Sequence, residues 1–278
     1  MKFDGHVKLT AKAITRMKIK CPVTTGSCNA PMFKDDFRLW FGDSKQSTPT
    51  DNYTSAVFNY ISNAITPDNI SAVKLPDAVA FVDLNERWTH DDPKGQRYHF
   101  MRARGESNQA AYYNAINFIE RHTFNWVSNA RKILKFESAM YRNKDVKPLQ
   151  RPGIRLNNYY VKELALALHS LQDSFSPAHT QRYTGQRRPT DQVVAGIIKS
   201  NSNVVMPIRN LYDYSAQDKN KHSSNDYSSG GPAGNWGELA VNASADLMIL
   251  SIESLWKNDK GLTGWGAFKA KWLTARFN

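Results

Sequence analysis

The chain reads as an all-α protein: a single compact multi-helix domain with long loops between its helices. Three observations predict this. Several segments carry apolar residues at helical spacing, and convincing period-2 alternation is scarce. No repeat and no linker-like composition shift divides the 278 residues, a length that one large domain accommodates.

Taken in order, Val7–Lys18 has apolar residues on one helical face, and Ser55–Ile65 reads as a short helix. Asn108–Tyr141 is long, rich in Ala and aromatics and free of Gly and Pro, which predicts one long helix or two consecutive ones. Asn158–Asp173 is a further helix, closed by Ser176-Pro177. Trp236–Trp256 is a strongly apolar helix, and Gly264–Arg276 adds a short one. The strand candidates are Ala78–Leu84 and Asn203–Ile208. Between these lie long polar segments, Pro22–Asp51, Thr66–Ser107 and the nearly low-complexity Asp213–Asn235. Loops of this size in a compact domain are functional or disordered.

Composition narrows the class of function. The net charge of +12 favours anionic partners: phospholipid headgroups, nucleic acid or acidic polymers. Solubility charge on an ordinary surface is the plain alternative. No apolar run approaches 18 residues, so no membrane span is expected. The opening MKFDGHVKLTAKAITRMKIK lacks the apolar stretch of a cleavable secretion signal, so any export is expected to use another route. Cys21 and Cys28, with six residues between them, fit a small local disulfide and a pair of free thiols equally, but not a paired-CxxC metal site.

The most informative segment is LALALHSLQDSFSPAHT, Leu164 to Thr180. His169 and Asp173 stand four residues apart on a helix and therefore share a face, where an imidazole and a carboxylate one turn apart form a metal-ligand pair. His179, after the helix break, is able to fold back beside them. A lone helical His is more often a hydrogen-bonded core or surface residue, so the rest of the chain must supply further ligands. It offers His6 at the start of the first helix, His90 and His99 in a loop that also holds Asp77, Asp83, Asp91 and Asp92, and a second i, i+4 pair, His222 and Asp226. His122, in mid-helix, is expected to be a surface residue. Imidazoles and carboxylates drawn from several segments, with one carboxylate shared, are what a multinuclear zinc site requires.

HSLQDSFSPAH resembles the His-x3-Asp-x5-His core of the zinc-dependent phospholipase C and single-strand-specific nuclease superfamily. GHVKLTAKAI resembles the early His of that family, LPDAV followed by GQRYHFMR its loop Asp and later His, and His222-x3-Asp226 its downstream His-x3-Glu, with Asp for Glu. The motif order agrees, although the match is strong only over 164–180. The resemblance implies an all-α, zinc phospholipase C-like domain holding two or three Zn2+ ions. His179, His222 and Asp226 would hold one zinc. His169, Asp173, His99 and Asp77 would hold a second, with Asp83 and His90 as alternatives to the last two. Asp173 would bridge to a third, which His6 also binds. A water shared by two zincs would be the nucleophile, and Asp77 would orient it or act as base. One departure concerns the third zinc. Classical members ligate it with an N-terminal Trp, whereas here the sequence starts at Met1, so Met1 or Asp4 would take that place or the site would be weak.

The implied reaction is phosphodiester hydrolysis, with phospholipid headgroups as the leading substrate and single-stranded nucleic acid as the alternative. Arg182, with Arg187 and Arg188, would attract either anion, and Phe175, Trp88 and Tyr183 would supply an exposed aromatic rim. Signal-free chains of this arrangement look similar to bacterial toxin domains delivered by specialised secretion. Such a domain would have a membrane surface as its target, and a secretion-system carrier and an immunity protein as partners. A non-catalytic basic helical module that binds nucleic acid or membrane is the reading from a different class.

Overall fold

A computed structural model describes residues 3–20, 75–84, 93–142, 153–183, 205–213, 235–256 and 261–277. These are mostly helical, as an all-α class requires, with one two-stranded sheet among them. The helices are α1 (Phe3–Lys20), α2 (Leu75–Ala80), α3 (Asn108–Arg142), α4 (Gly153–Asp173), α5 (Asn235–Trp256) and α6 (Trp265–Trp272). Two 3-10 turns, Phe81–Leu84 and Pro93–His99, precede α3.

α5 is the hub. It packs against α1, α3, α4 and α6. Its buried residues, among them Leu239, Ala240, Val241, Ala243, Ala245 and Leu247, run all round the helix, as a centrally placed helix requires. α3 has a one-sided pattern instead. Ala111, Ala115, Ile119, Thr123 and Trp126 recur at helical spacing and are buried, while Tyr113 and Phe124 face outward. That buried face lies along α4. α6 is tied back to α5 by Asp246, whose carboxylate accepts from Lys271 Nζ at 2.8 Å and Trp272 Nε1 at 3.1 Å.

Ala78–Leu84 is not a strand. Leu75–Ala80 is α2, and Phe81–Leu84 a 3-10 turn. Short apolar runs have no decisive period, and here Leu75, Ala78, Val79 and Ala80 are all buried, with α2 lodged between α1 and α4. Pro76 at the second position costs little because the first N–H groups of a helix have no intrahelical acceptor. The second strand candidate is displaced: β2 is Ile208–Leu211, antiparallel to β1, Thr180–Arg182. Thr180 pairs with Leu211 and Arg182 with Ile208, with an irregularity between Gln181 and Arg182. The helices expected at Ser55–Ile65, both cysteines, and the 213–235 loop beyond Asp213 lie outside the described residues.

His122 departs from its expected place on the surface. It is 9% exposed, packs at a tilt against Phe118 with ring centroids 4.2 Å apart, and donates Nδ1–H to Glu163 of α4 at 2.7 Å. The lengthwise packing of α3 on α4 covers it.

Candidate metal centre

Six ligand-type side chains meet where α1, α2 and α4 come together. They are His6, Asp83, His99, His169, Asp173 and His179, and they form three overlapping triads: His6–His169–Asp173, Asp83–His99–His169 and His99–Asp173–His179. Within each triad the ligand atoms lie within 4.8 Å of one another. Asp173 touches the most partners. Its Oδ1 is 3.4 Å from His6 Nε2, and its Oδ2 is 2.9 Å from His99 Nδ1, 3.2 Å from His169 Nε2 and 3.4 Å from His179 Nδ1. Asp83 adds a second carboxylate, with Oδ1 3.4 Å from His169 Nε2 and Oδ2 3.6 Å from His6 Nε2.

Local structure explains how each group arrives. α4 carries His169 and Asp173 one turn apart, and both are fully buried. After α4 the chain turns at Ser174–Phe175. Ser176 accepts the backbone N–H groups of His179 and Thr180 at 3.0 Å, which closes the turn and returns His179 to the helix end. The His179 carbonyl then accepts from Tyr212 N–H at 2.9 Å, next to the β1–β2 pair. His99 ends the 3-10 turn. Phe100, buried and at φ 53°, adopts the left-handed conformation usually left to glycine. Met101 N–H reaches back to the Gln96 carbonyl at 2.9 Å and Phe100 N–H to that of Arg97 at 3.4 Å, a Schellman closure with Phe in the glycine position. The His99 carbonyl is thereby left for a side chain.

His6 and His169 are anchored on their far sides, as metal-binding histidines are, and His179 is fixed through its Nδ1. His169 donates Nδ1–H to the Val79 carbonyl at 2.8 Å, one of the end-of-helix acceptors of α2. His179 donates Nδ1–H to the His99 carbonyl at 2.8 Å. His6 donates Nδ1–H to Gln172 Oε1 at 2.7 Å. With Nδ1 protonated, the lone pair is on Nε2. In His6 and His169 that Nε2 faces the carboxylates. His6 and His169 also stack, with centroids 4.0 Å apart.

Two buried atoms of the cluster lack a hydrogen bond. His6 Nε2 and Asp83 Oδ2 face one another 3.6 Å apart, and neither has a hydrogen-bond partner. A lone pair opposite a carboxylate oxygen, both desolvated, is an arrangement that a cation satisfies. The electrostatics agree. Burial would favour a neutral Asp173, but the imidazoles of His179, His169 and His6 outweigh it and hold the carboxyl well below its usual range. Burial pushes His99 down to about 3, more than the neighbouring Asp173 restores. Burial also opposes protonation of His169, yet the charges of Asp173 and Asp83 prevail and raise it.

The expected site residues are placed as follows. His6, His99, His169, Asp173 and His179 converge. Asp77 lies on α2 with its side chain outside the described residues; among the described residues Asp83, six positions on, joins the cluster. His90, His222 and Asp226 also lie outside the described residues. The two substrate-binding candidates differ from expectation in one respect: neither is an exposed surface group. Phe175 is 1% exposed, packed against Trp272 and beneath the Arg182 guanidinium at 4.6 Å. Arg182 is itself buried and donates to the carbonyls of Met206, Ser174 and Trp272, so it clamps the ends of α4 and α6 to the strand pair. Burial brings it down to about 9, which leaves it charged at neutral pH. With Tyr212 and Trp236 the two line a cavity of about 180 Å3 beside the His179 turn. Gln172, which bonds to His6, was not singled out from sequence, because an amide carries no metal-ligand signature.

Compared with known proteins, the chain matches no family model, no curated protein and no solved structure.

Proposed function

We propose that the protein is a zinc-dependent phosphodiester hydrolase of the phospholipase C type, acting on membrane phospholipid. The observation that carries this reading is the buried convergence, among the described residues, of four imidazoles and two carboxylates, with His6 Nε2 and Asp83 Oδ2 left without a hydrogen bond. The donor set among the described residues suits zinc: imidazole nitrogens and carboxylate oxygens. Two carboxylates contribute −2, which neutralises one divalent ion and leaves two ions with a net +2. A surplus of that sign suits an anionic phosphodiester.

Clustered divalent ions supply a water that is acidic near neutral pH and a clamp for phosphate oxygens. The residues divide the remaining work. His169 and Asp173, on rigid α4, and His6, on α1, would hold the ions. Asp173, with both oxygens engaged by imidazoles, is the bridging candidate. Asp83, 14% exposed where its cluster neighbours are sealed, is the carboxylate nearest solvent and the one able to take up a proton during turnover. Order and spacing of HSLQDSFSPAH and the early His support the phospholipase C type.

The test is direct. The purified protein should contain at least one zinc per chain by elemental analysis and should hydrolyse bis-p-nitrophenyl phosphate in a chelator-sensitive way. Phosphatidylcholine vesicles and single-stranded DNA, offered side by side, should yield soluble phosphocholine and intact DNA. DNA cleavage alone would make it a nuclease. A metal-free, inactive protein would leave a basic binding module.

A further inference from the structure

We propose that Gln172 is the positioning residue that keeps His6 in its metal-binding form, and so sets how tightly the His6 corner of the cluster holds a divalent cation. This rests on the metal reading above. Gln172 is fully buried, one residue before Asp173. Its Oε1 accepts His6 Nδ1–H at 2.7 Å. Its Nε2 donates to Thr10 Oγ1 at 2.9 Å and to Ser244 Oγ at 3.3 Å.

The arrangement removes an ambiguity inherent in imidazole. A neutral His carries its proton on either ring nitrogen, and only the unprotonated one binds metal. The carboxylates of Asp173 and Asp83, 3.4 and 3.6 Å from Nε2, would draw the proton to that atom and block it. The amide opposes this. Its two N–H groups are taken by two hydroxyl oxygens, so its carbonyl end faces His6 and holds the proton on Nδ1. The hydroxyls come from different helices, Thr10 from α1 and Ser244 from α5, while Gln172 belongs to α4. Thr10 stands one helical turn from His6 on α1, so one amide sets both where the imidazole lies and which nitrogen it offers. Outer contacts of this kind change metal affinity by about 10–100-fold.

Zinc affinity, measured by competition with a chelating dye, separates this role from simple packing. Gln172→Met keeps the length of the side chain and removes the acceptor; zinc binding at one site should weaken about 10–100-fold. Gln172→Glu keeps an acceptor for Nδ1–H, and the hydroxyls are able to donate to it, so affinity should return to within about threefold of the parent. Ser244→Ala, a small change on an Ala-rich helix, should weaken the same site several-fold and keeps the test open should Gln172→Met fold poorly. In a His6→Ala background, Gln172→Met should cost no further affinity, because the amide acts through His6. Gln172→Met with parental affinity, or an undiminished effect without His6, would overturn the proposal and leave the metal reading standing. A parent protein that binds no zinc would overturn both. In zinc-free protein, 15N NMR of the His6 ring should show Nδ1 protonated; a proton on Nε2 would count decisively against it.

Discussion

Asp173 is the residue on which the cluster turns, since four imidazoles stand within 3.4 Å of its two oxygens. Asp173→Asn preserves shape and removes the charge. It should lower zinc content by at least one equivalent and cut hydrolysis of bis-p-nitrophenyl phosphate by more than about 100-fold, beyond the effect of losing an outer contact. Full activity in that variant would remove Asp173 from the site. Acidity enters through His169 and His99 in opposite ways. His169 is raised, so a proton competes with metal near neutral pH, whereas His99, lowered to about 3, is already neutral there. Zinc affinity should therefore fall as pH drops through the His169 range and level off above it, with about one proton released per zinc bound at the lower pH. Calorimetry in two buffers of different ionisation enthalpy reads that proton directly. The sequence pointed to these residues unequally. His169 and Asp173 declare themselves by helical spacing. The place of Asp83 depends on how α2 runs into the following turn, which a mixed apolar run does not disclose.

Pairs of elements set what the residues are able to do. Between α3 and α4, His122 and Asn125 both bond to Glu163. Burial alone would raise this carboxyl, but the bond and charge of His122 and the Asn125 amide hold it below its ordinary 4.5. A depressed carboxyl contributes stability that is complete above the unfolded value and is lost as pH falls through the folded one. Urea melts should show Glu163→Gln less stable by about 1 kcal/mol at neutral pH, the gap closing below pH ~4.5. A gap that does not vary with pH would assign the effect to packing. The turn that delivers His99 is the other sensitive place. Phe100→Ala keeps the left-handed strain and empties a buried aromatic site, so unfolding free energy should fall by about 3–5 kcal/mol. Long helices such as Asn108–Arg142 were legible because their period persists over many turns. The three-residue β1 was not, because contacts distant in sequence hold it: Tyr212 N–H on the His179 carbonyl, and Arg182 on the end of α6.

For the whole molecule, the cluster would act as a fastener when metal is bound, because its side chains come from α1, α4 and the turns after α2, before α3 and beyond α4. Zinc at about 100 times its dissociation constant should add roughly 2.7 kcal/mol to folding. For a chain of this size the midpoint of thermal unfolding should then rise by roughly 5–10 °C over protein held in chelator. An unchanged midpoint would mean that the cluster does not bind the metal. The all-α class was readable from periodicity. The depth at which the histidines lie was not, because it comes from the packing of α1, α2 and α4, segments far apart in the chain. Two of the six ligands ride on a stiff helix one turn apart, while Asp83, His99 and His179 hang from turns. The centre is thus a fixed rail with adjustable jaws. Offered cadmium, a wider ion, the protein should keep the His169–Asp173 spacing and let the turns give way, which a cadmium-loaded crystal would display as outward shifts at Asp83, His99 and His179.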